Sequence, residues 1–167
     1  GHRRAMKEFF CSSMSARTGT GVTVSIANNK PLYDKLLKRF IETGQVLARL
    51  DHPALLKVHH IERRDGTAYL FTDFVDGEEL QHWLKSHPDG IGEGELRAIF
   101  EPIMDALAYC HAQGLLHRDI APDNIMLRKG SGDSVLIDFG AVKQTARESG
   151  AESGHTSTVA VDKDRFA

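Results

Sequence analysis

Cysteine is scarce in this sequence. Cys11 and Cys110 are the only two in 167 residues, and neither has metal-ligand spacing around it. That excludes a disulfide-stapled secreted fold and a thiolate zinc site, and predicts two free thiols in a reducing compartment. Long apolar runs are also missing, none approaching the ~20 residues that a membrane-spanning helix needs. The basic start is followed by no apolar stretch of the secretory type. Nor is there an excess of one charge. The 21 Lys and Arg against 23 Asp and Glu leave a net charge of -2, which gives no electrostatic reason to expect nucleic acid or an anionic membrane as a partner. What remains is ordinary for a soluble chain, 41% hydrophobic and 26% charged. Length alone suggests one domain with a real core, and the cytoplasm is the expected location.

The chemistry is concentrated between His117 and Gly140. The chain there reads H-R-D-I-A-P-D-N-I-M-L, then a short glycine-bearing turn, then V-L-I-D-F-G. Asp119 and Asp138 each end a short apolar approach, and Asn124 lies between them. Phosphoryl transfer from a magnesium nucleotide needs this combination: one carboxylate for the proton of an incoming hydroxyl, and a second carboxylate with an amide oxygen for the metal. Alone, H-R-D or D-F-G carries little information. Both in order and at this spacing, behind an amphipathic helix, carry a great deal.

On these motifs the chain resembles the protein kinase superfamily, whose signature joins H-R-D-L-x-x-x-N to D-F-G. The wording of KEFF, HPALLKV, TAYLFTDFVDG, GLLHRDIAPDNIML and LIDFGAVK is most similar to the bacterial serine/threonine kinases. The resemblance implies an α+β, two-lobed kinase fold that is incomplete at both ends, starting at the third strand of the small lobe and stopping before the A-P-E motif. It places a partial small lobe at 1–72, the hinge and upper large lobe at 73–140, and a flexible activation segment at 141–167. It further implies ATP and Mg2+ as cofactors and a protein substrate with a serine or threonine hydroxyl. Asp119 would accept the hydroxyl proton, and Asn124 and Asp138 would hold magnesium. Lys7, at the end of Ala5-Met6-Lys7, would brace the phosphates. The carbonyl of Asp73 and the N–H of Val75 would face adenine, Thr72 would be the gatekeeper, and Met126 would form part of the adenine floor. Glu79 would lie near the ribose or serve simply as an acid at the start of the next helix. Arg118 would receive a phosphate on the activation segment, with Thr156, Ser157 and Thr158 as candidate acceptors.

Residue patterns give further expectations along the chain. Arg3 to Phe10 reads as a strand, and Ser12 to Asn29 as a polar connection with a short strand in V-T-V-S-I. Gly19-Thr20-Gly21 imitates a phosphate loop but lacks a third glycine, and it leaves too little chain before Lys30 for a returning strand. Pro31 opens a helix carrying Leu36, Phe40, Leu47 and Leu50. Leu55 to Glu62 and Thr67 to Phe74 read as strands joined at Asp65-Gly66. His52, His59 and His60 have no cysteine or carboxylate cluster around them and read as structural. Leu80 to Lys85 is a short helix. A long one follows, with Leu96, Ile99, Ile103, Leu107 and Cys110 on one face, Pro102 inside it and Gly114 at its end.

Two positions depart from the family pattern. Counting back from His52-Pro53, the glutamate that would pair with the strand lysine falls on Thr43, with Glu42 one residue away. Ala121 stands where serine/threonine kinases usually place lysine. A second hypothesis therefore stands beside the kinase: a catalytically lapsed kinase-like binding or scaffold module. A small-molecule phosphotransferase shares some of this logic, but Arg118 within H-R-D and the full D-F-G argue against it.

Overall fold

The structure is a computed structural model. It describes residues 3–19, 21–25 and 29–138, together with the backbone of 143–144 and 156–161. In chain order the strands are β1 (Arg4–Phe9), β2 (Ser15–Thr18), β3 (Gly21–Val24), β4 (Val58–Arg64), β5 (Thr67–Asp73), β6 (Gly77–Glu79), β7 (Leu115–Leu116), β8 (Ile125–Arg128), β9 (Ser134–Leu136), β10 (Lys143–Gln144) and β11 (Thr156–Val161). The helices are α1 (Lys30–Leu47), α2 (Leu80–Lys85) and α3 (Glu93–Ala112), with a 3-10 turn at Pro122–Asn124. The chain forms two compact units. One takes the chain up to Arg49, Lys57–Phe74 and β11; the other takes Leu50–Leu56 and the chain from Val75 through β10. The two units divide at 74/75, two residues after the expected 72/73 boundary.

In the first unit an antiparallel sheet runs in the order β11-β1-β5-β4. The β4–β5 turn is the expected Asp65-Gly66 pair. Both residues have positive φ, 53° and 80°, as a two-residue hairpin of this twist requires. α1 begins with Pro31 in its first turn and buries Tyr33, Leu37, Gly44 and Leu47. Phe9 of β1 packs between Tyr33 and Phe40, with ring centroids 5.4 and 5.5 Å away. Phe9, Cys11, Val22, Tyr33, Leu37 and Ala68 form the core.

The stretch expected to be a loose connection contains a second hairpin, β2–β3, turning at Gly19 with φ 61°. Its order comes from elsewhere in the chain. Val22 N–H donates to Asp65 O at 2.8 Å, so the hairpin leans on the β4–β5 turn. Gly66 is needed there twice, for its φ and because a Cβ would sit 2.2 Å from Val22 O.

The second unit is built on α3, whose Ile99, Ile103, Ala106 and Cys110 are buried. Val135 and Leu136 of β9 are fully buried, and Ser134 Oγ donates to Ile99 O at 2.7 Å. Leu96, expected on the buried face, is 45% exposed; the inward stripe begins one turn later. Pro102 lies within α3 without ending it. A sheet in the order β6-β8-β9 completes this unit, with β7 paired to β10. The expected strand at Leu55 begins instead at Val58. The reason is that Leu56 N–H donates to Leu136 O and Leu136 N–H to Ala54 O, both at 2.9 Å, which commits this segment to β9. His52 Nε2 lies 3.1 Å from Asp105 on α3 and fastens the same segment.

Of the segment expected to be flexible, 141–167, the described parts are two strands. Thr-Ser-Thr-Val-Ala-Val is rich in β-branched residues, which suit a pleated ladder. It pairs along the whole of β1, from Arg4↔Val161 to Phe9↔Thr156.

Candidate active site

The expected catalytic loop, His117 to Asn124, lies wholly in the second unit, between β7 and β8. His117 is 3% exposed, while Arg118 and Asp119 face solvent. Arg118 has φ 65°, a left-handed conformation that a long side chain adopts at a cost, of the kind found at functional turns. Asp119 N–H donates to His117 Nδ1 at 3.3 Å. Burial pulls the His117 pKa below its ordinary value; the charges of Asp138 and Asp119 and a hydrogen bond with the Asp138 backbone oppose that. The imidazole is thus a buried post between the two acidic residues.

Asn124 ties the loop to the segment that follows β9 and carries Asp138. Its Nδ2 donates to Asp119 O at 2.9 Å, its own N–H donates to Ala121 O at 3.0 Å, and its carbonyl accepts Ile137 N–H at 2.9 Å. With the amide nitrogen committed to a carbonyl, Oδ1 is the end of the side chain available to a cation. Asn124 and Asp138 offer the hard oxygen donors that magnesium takes. Among the described residues no group of three His, Cys, Asp or Glu side chains forms a metal cage. Two protein ligands suit an ion that completes its shell with phosphate and water oxygens.

Met126 on β8 is the cross-strand partner of Glu79 on β6, so the expected floor and ribose residues adjoin each other. Their approach depends on Gly77, where a Cβ would lie 2.0 Å from Leu127 O. Val75 is buried in the same unit. Phe139 and Gly140 lie outside the described residues, as do the side chains of Thr156, Ser157 and Thr158; their backbone pairs with Phe9, Glu8 and Lys7.

The remaining expected residues belong to the first unit. Lys7, half-buried on β1, is opposite Leu70 of β5. α1 crosses the sheet at that register, where a Cβ on Gly44 would meet Ile61 Cδ1 at 2.6 Å and Leu70 Cδ1 at 2.8 Å. Gly44, a weak residue in a helix, therefore allows a close approach. Glu42 points away: its side chain is 61% exposed and pairs with Lys38 at 3.8 Å. Thr43, not Glu42, is the half-buried residue of the two. Gly19 serves the β2–β3 turn, and Lys30 pairs with Asp34 at 3.2 Å at the start of α1.

Asp73 ends β5. Its N–H donates to Lys57 O at 2.9 Å, and its carbonyl accepts from the buried Thr72 Oγ1 at 3.0 Å. His59 Nε2 lies 2.7 Å from Asp73 Oδ1. Nothing in the sequence singled out His59 for this contact.

Comparison with known proteins agrees with this geometry. The family model for the protein kinase domain matches residues 12–162. The chain belongs to the protein kinase family, in the α+β, kinase-like fold. It is 40% identical over 115 residues to the serine/threonine-protein kinase PknI of Mycobacterium tuberculosis, covering 66% of this chain and 20% of that protein. To the sperm motility kinase 3A of Mus musculus it is 35% identical over 124 residues, 74% of this chain and 23% of the relative. A solved structure, the apo form of PpkA-294, superposes with a TM-score of 0.75 at 33% identity, covering 83% of this chain and 49% of that one. The chain thus spans about a fifth of the length of these curated relatives. Lys7 precedes the matched residues; its assignment rests on Ala5-Met6-Lys7 and the K-E-F-F that follows.

Proposed function

We propose that this chain is part of the catalytic domain of a serine/threonine protein kinase, which transfers the γ-phosphoryl group of ATP to a protein hydroxyl. The observation that carries the reading is Asn124, whose side chain holds the Asp119 carbonyl while its backbone holds the strand leading to Asp138. One residue thereby sets a proton acceptor and a metal-binding carboxylate on a common frame, which suits a reaction catalysed mostly by positioning and charge stabilisation. Asp119, exposed at the loop tip, orients the incoming hydroxyl and takes its proton. Asn124 Oδ1 and Asp138 would hold magnesium, which when bound would neutralise phosphate charge. Met126 is assigned to the base and Glu79 to the ribose, adjoining each other across β6 and β8; Lys7 is assigned to phosphate and the Asp73 carbonyl to adenine. The cytoplasm, where both cysteines would stay reduced, is the proposed compartment.

The test is phosphorylation of a generic protein acceptor with magnesium ATP by this chain within its parent protein. Asp119→Asn should abolish transfer while leaving ATP binding in place, and Asp138→Ala should abolish the magnesium dependence of ATP binding. Equal magnesium-dependent affinity in the Asp138 variant and the parent would remove Asp138 from this role.

A second reading, the non-catalytic binding module, draws on Glu42 pairing outward with Lys38 while Thr43 occupies the inward position. Ala121, where a lysine would meet the transferred phosphate, favours it as well. ATP binding without transfer in the complete protein would favour this module over the kinase.

A further inference from the structure

We infer that His59 is a positioning residue for the nucleotide base, holding Asp73 so that its carbonyl is presented to adenine. The inference rests on the reading of Asp73 as the hinge acceptor. It begins with an irregularity in β4. The β4–β5 ladder is regular from Arg64↔Thr67 to His60↔Phe71, and the next pair is Val58↔Thr72. One residue, His59, is left over. Such a β-bulge releases a residue from the ladder and re-aims its side chain, and bulges are over-represented beside active sites.

The released side chain reaches Asp73, with Nε2 2.7 Å from Oδ1. A carboxylate only accepts, so Nε2 carries the proton, and the contact exists for neutral and charged imidazole alike. Asp73 is then tied three times. Lys57 O receives its N–H, His59 holds its carboxylate, and Thr72 Oγ1 donates to its carbonyl. A carbonyl oxygen accepts along two directions. With Thr72 using one and the peptide unable to swing, the other is fixed in space.

Fixing that direction bears on which base is bound. Adenine presents an amine donor at its six position, where guanine presents an acceptor oxygen. A rigid carbonyl rewards the first and repels the second, whereas a carbonyl free to rotate away loses both effects. Positive charge near Asp73 comes from other groups as well: Arg4 is its partner across the β1–β5 ladder, and the Arg3 guanidinium lies 5.7 Å from the Phe74 ring. The His59 and Asp73 side chains are 25% and 47% exposed, so their mutual attraction is screened. What His59 contributes is geometry.

The experiment is calorimetric titration of the full chain with magnesium ATP and magnesium GTP. His59→Leu keeps bulk and removes the donor; His59→Gln keeps an N–H at similar reach. His59→Leu should weaken ATP binding about five- to tenfold, the scale of one ordered hydrogen bond, and change GTP binding less than about twofold. His59→Gln should bring ATP affinity back to within about twofold of the parent. Unchanged ATP affinity in His59→Leu overturns the inference, as does an equal loss for both nucleotides, which would indicate a general loss of structure. Should His59→Leu fail to fold, Asp73→Asn, which weakens the same tie from the other side, is read by the same criteria. A parent chain that binds neither nucleotide overturns the kinase reading and this inference with it. That outcome is distinct from a nucleotide-binding parent that ignores His59.

Discussion

At Gly77 the absence of a side chain is what the fold uses. β6 and β8 approach so closely that any Cβ would penetrate the Leu127 carbonyl, and backbone on both sides leaves no flexible atom to yield. Gly77→Ala should therefore part the two strands, at a cost of about 2–3 kcal/mol, and separate Glu79 from Met126. Thermal unfolding measures the loss, and the same variant should bind ATP less well. A variant as stable as the parent would show that β6 can shift along β8 without penalty. The Asp-Gly pair at 76–77 was visible in the sequence, yet only the β6–β8 register shows why it must be glycine. Asp119, Asn124 and Asp138 stand out by spacing because the chemistry proposed for them requires a fixed order of residue types. His59 was not. His59-His60 reads alike whether or not the ladder slips by one, and the slip depends on what β5 presents opposite.

Among the elements, α1 departs most from the family pattern. Its Glu42 is spent on an exposed i,i+4 pair with Lys38, an interaction worth about 0.3–0.5 kcal/mol. Its inward face is held by close packing, with Gly44 against Ile61 and Leu70 and Tyr33 against Phe9. Tyr33 OH also donates to Gly66 O at 3.1 Å. Helix position here is a matter of apolar fit. Thr43→Glu should place a carboxylate on the half-buried side of the helix, in the unit that carries Lys7. ATP affinity in the complete protein should rise by about threefold, the scale of a modest charge pair. Glu42→Ala should change neither affinity nor melting temperature appreciably. A large loss from Glu42→Ala with no effect of Thr43→Glu would reverse the assignment. The helix itself was legible from Pro31 and the Leu-Phe spacing. β2 was not, because Ser-Ala-Arg-Thr carries no strand signal and owes its order to β3 and, through it, to the β4–β5 turn.

Over the whole molecule, weak acids at least half-buried occur in both units. Tyr33 and Tyr69 in the first are raised above their ordinary 10.0, and Cys110 in the second above its ordinary 9.0, in each case mainly by burial. A folded pKa above the unfolded one leaves stability intact below the unfolded value and removes it as pH rises past that value toward the folded one. Melting temperature should thus hold near neutral pH, begin to fall near 9 and fall more steeply near 10, the ordinary values of these groups. Cys110→Ser should delay the onset. A melting temperature that climbs with pH over this range would contradict these upward shifts. Division into two units was legible only in part. Leu50–Leu56 was read with the first because it adjoins β4 in sequence, but hydrogen bonds with Leu136, some eighty residues away, assign it to the second. No local pattern carries that information.

The pairing of β11 along β1 bears on how copies of the protein behave together. A β1 strand with one neighbour would offer a row of backbone donors and acceptors to any passing chain. Here its own downstream segment occupies that row from Arg4 to Phe9. Because both strands belong to one molecule, β11 competes at an effective concentration of the order of millimolar. A strand from a second copy, at the micromolar levels of most solutions, is outnumbered about a thousandfold. Strand exchange between molecules is therefore a property of crowded preparations, and dilution favours the self-paired monomer.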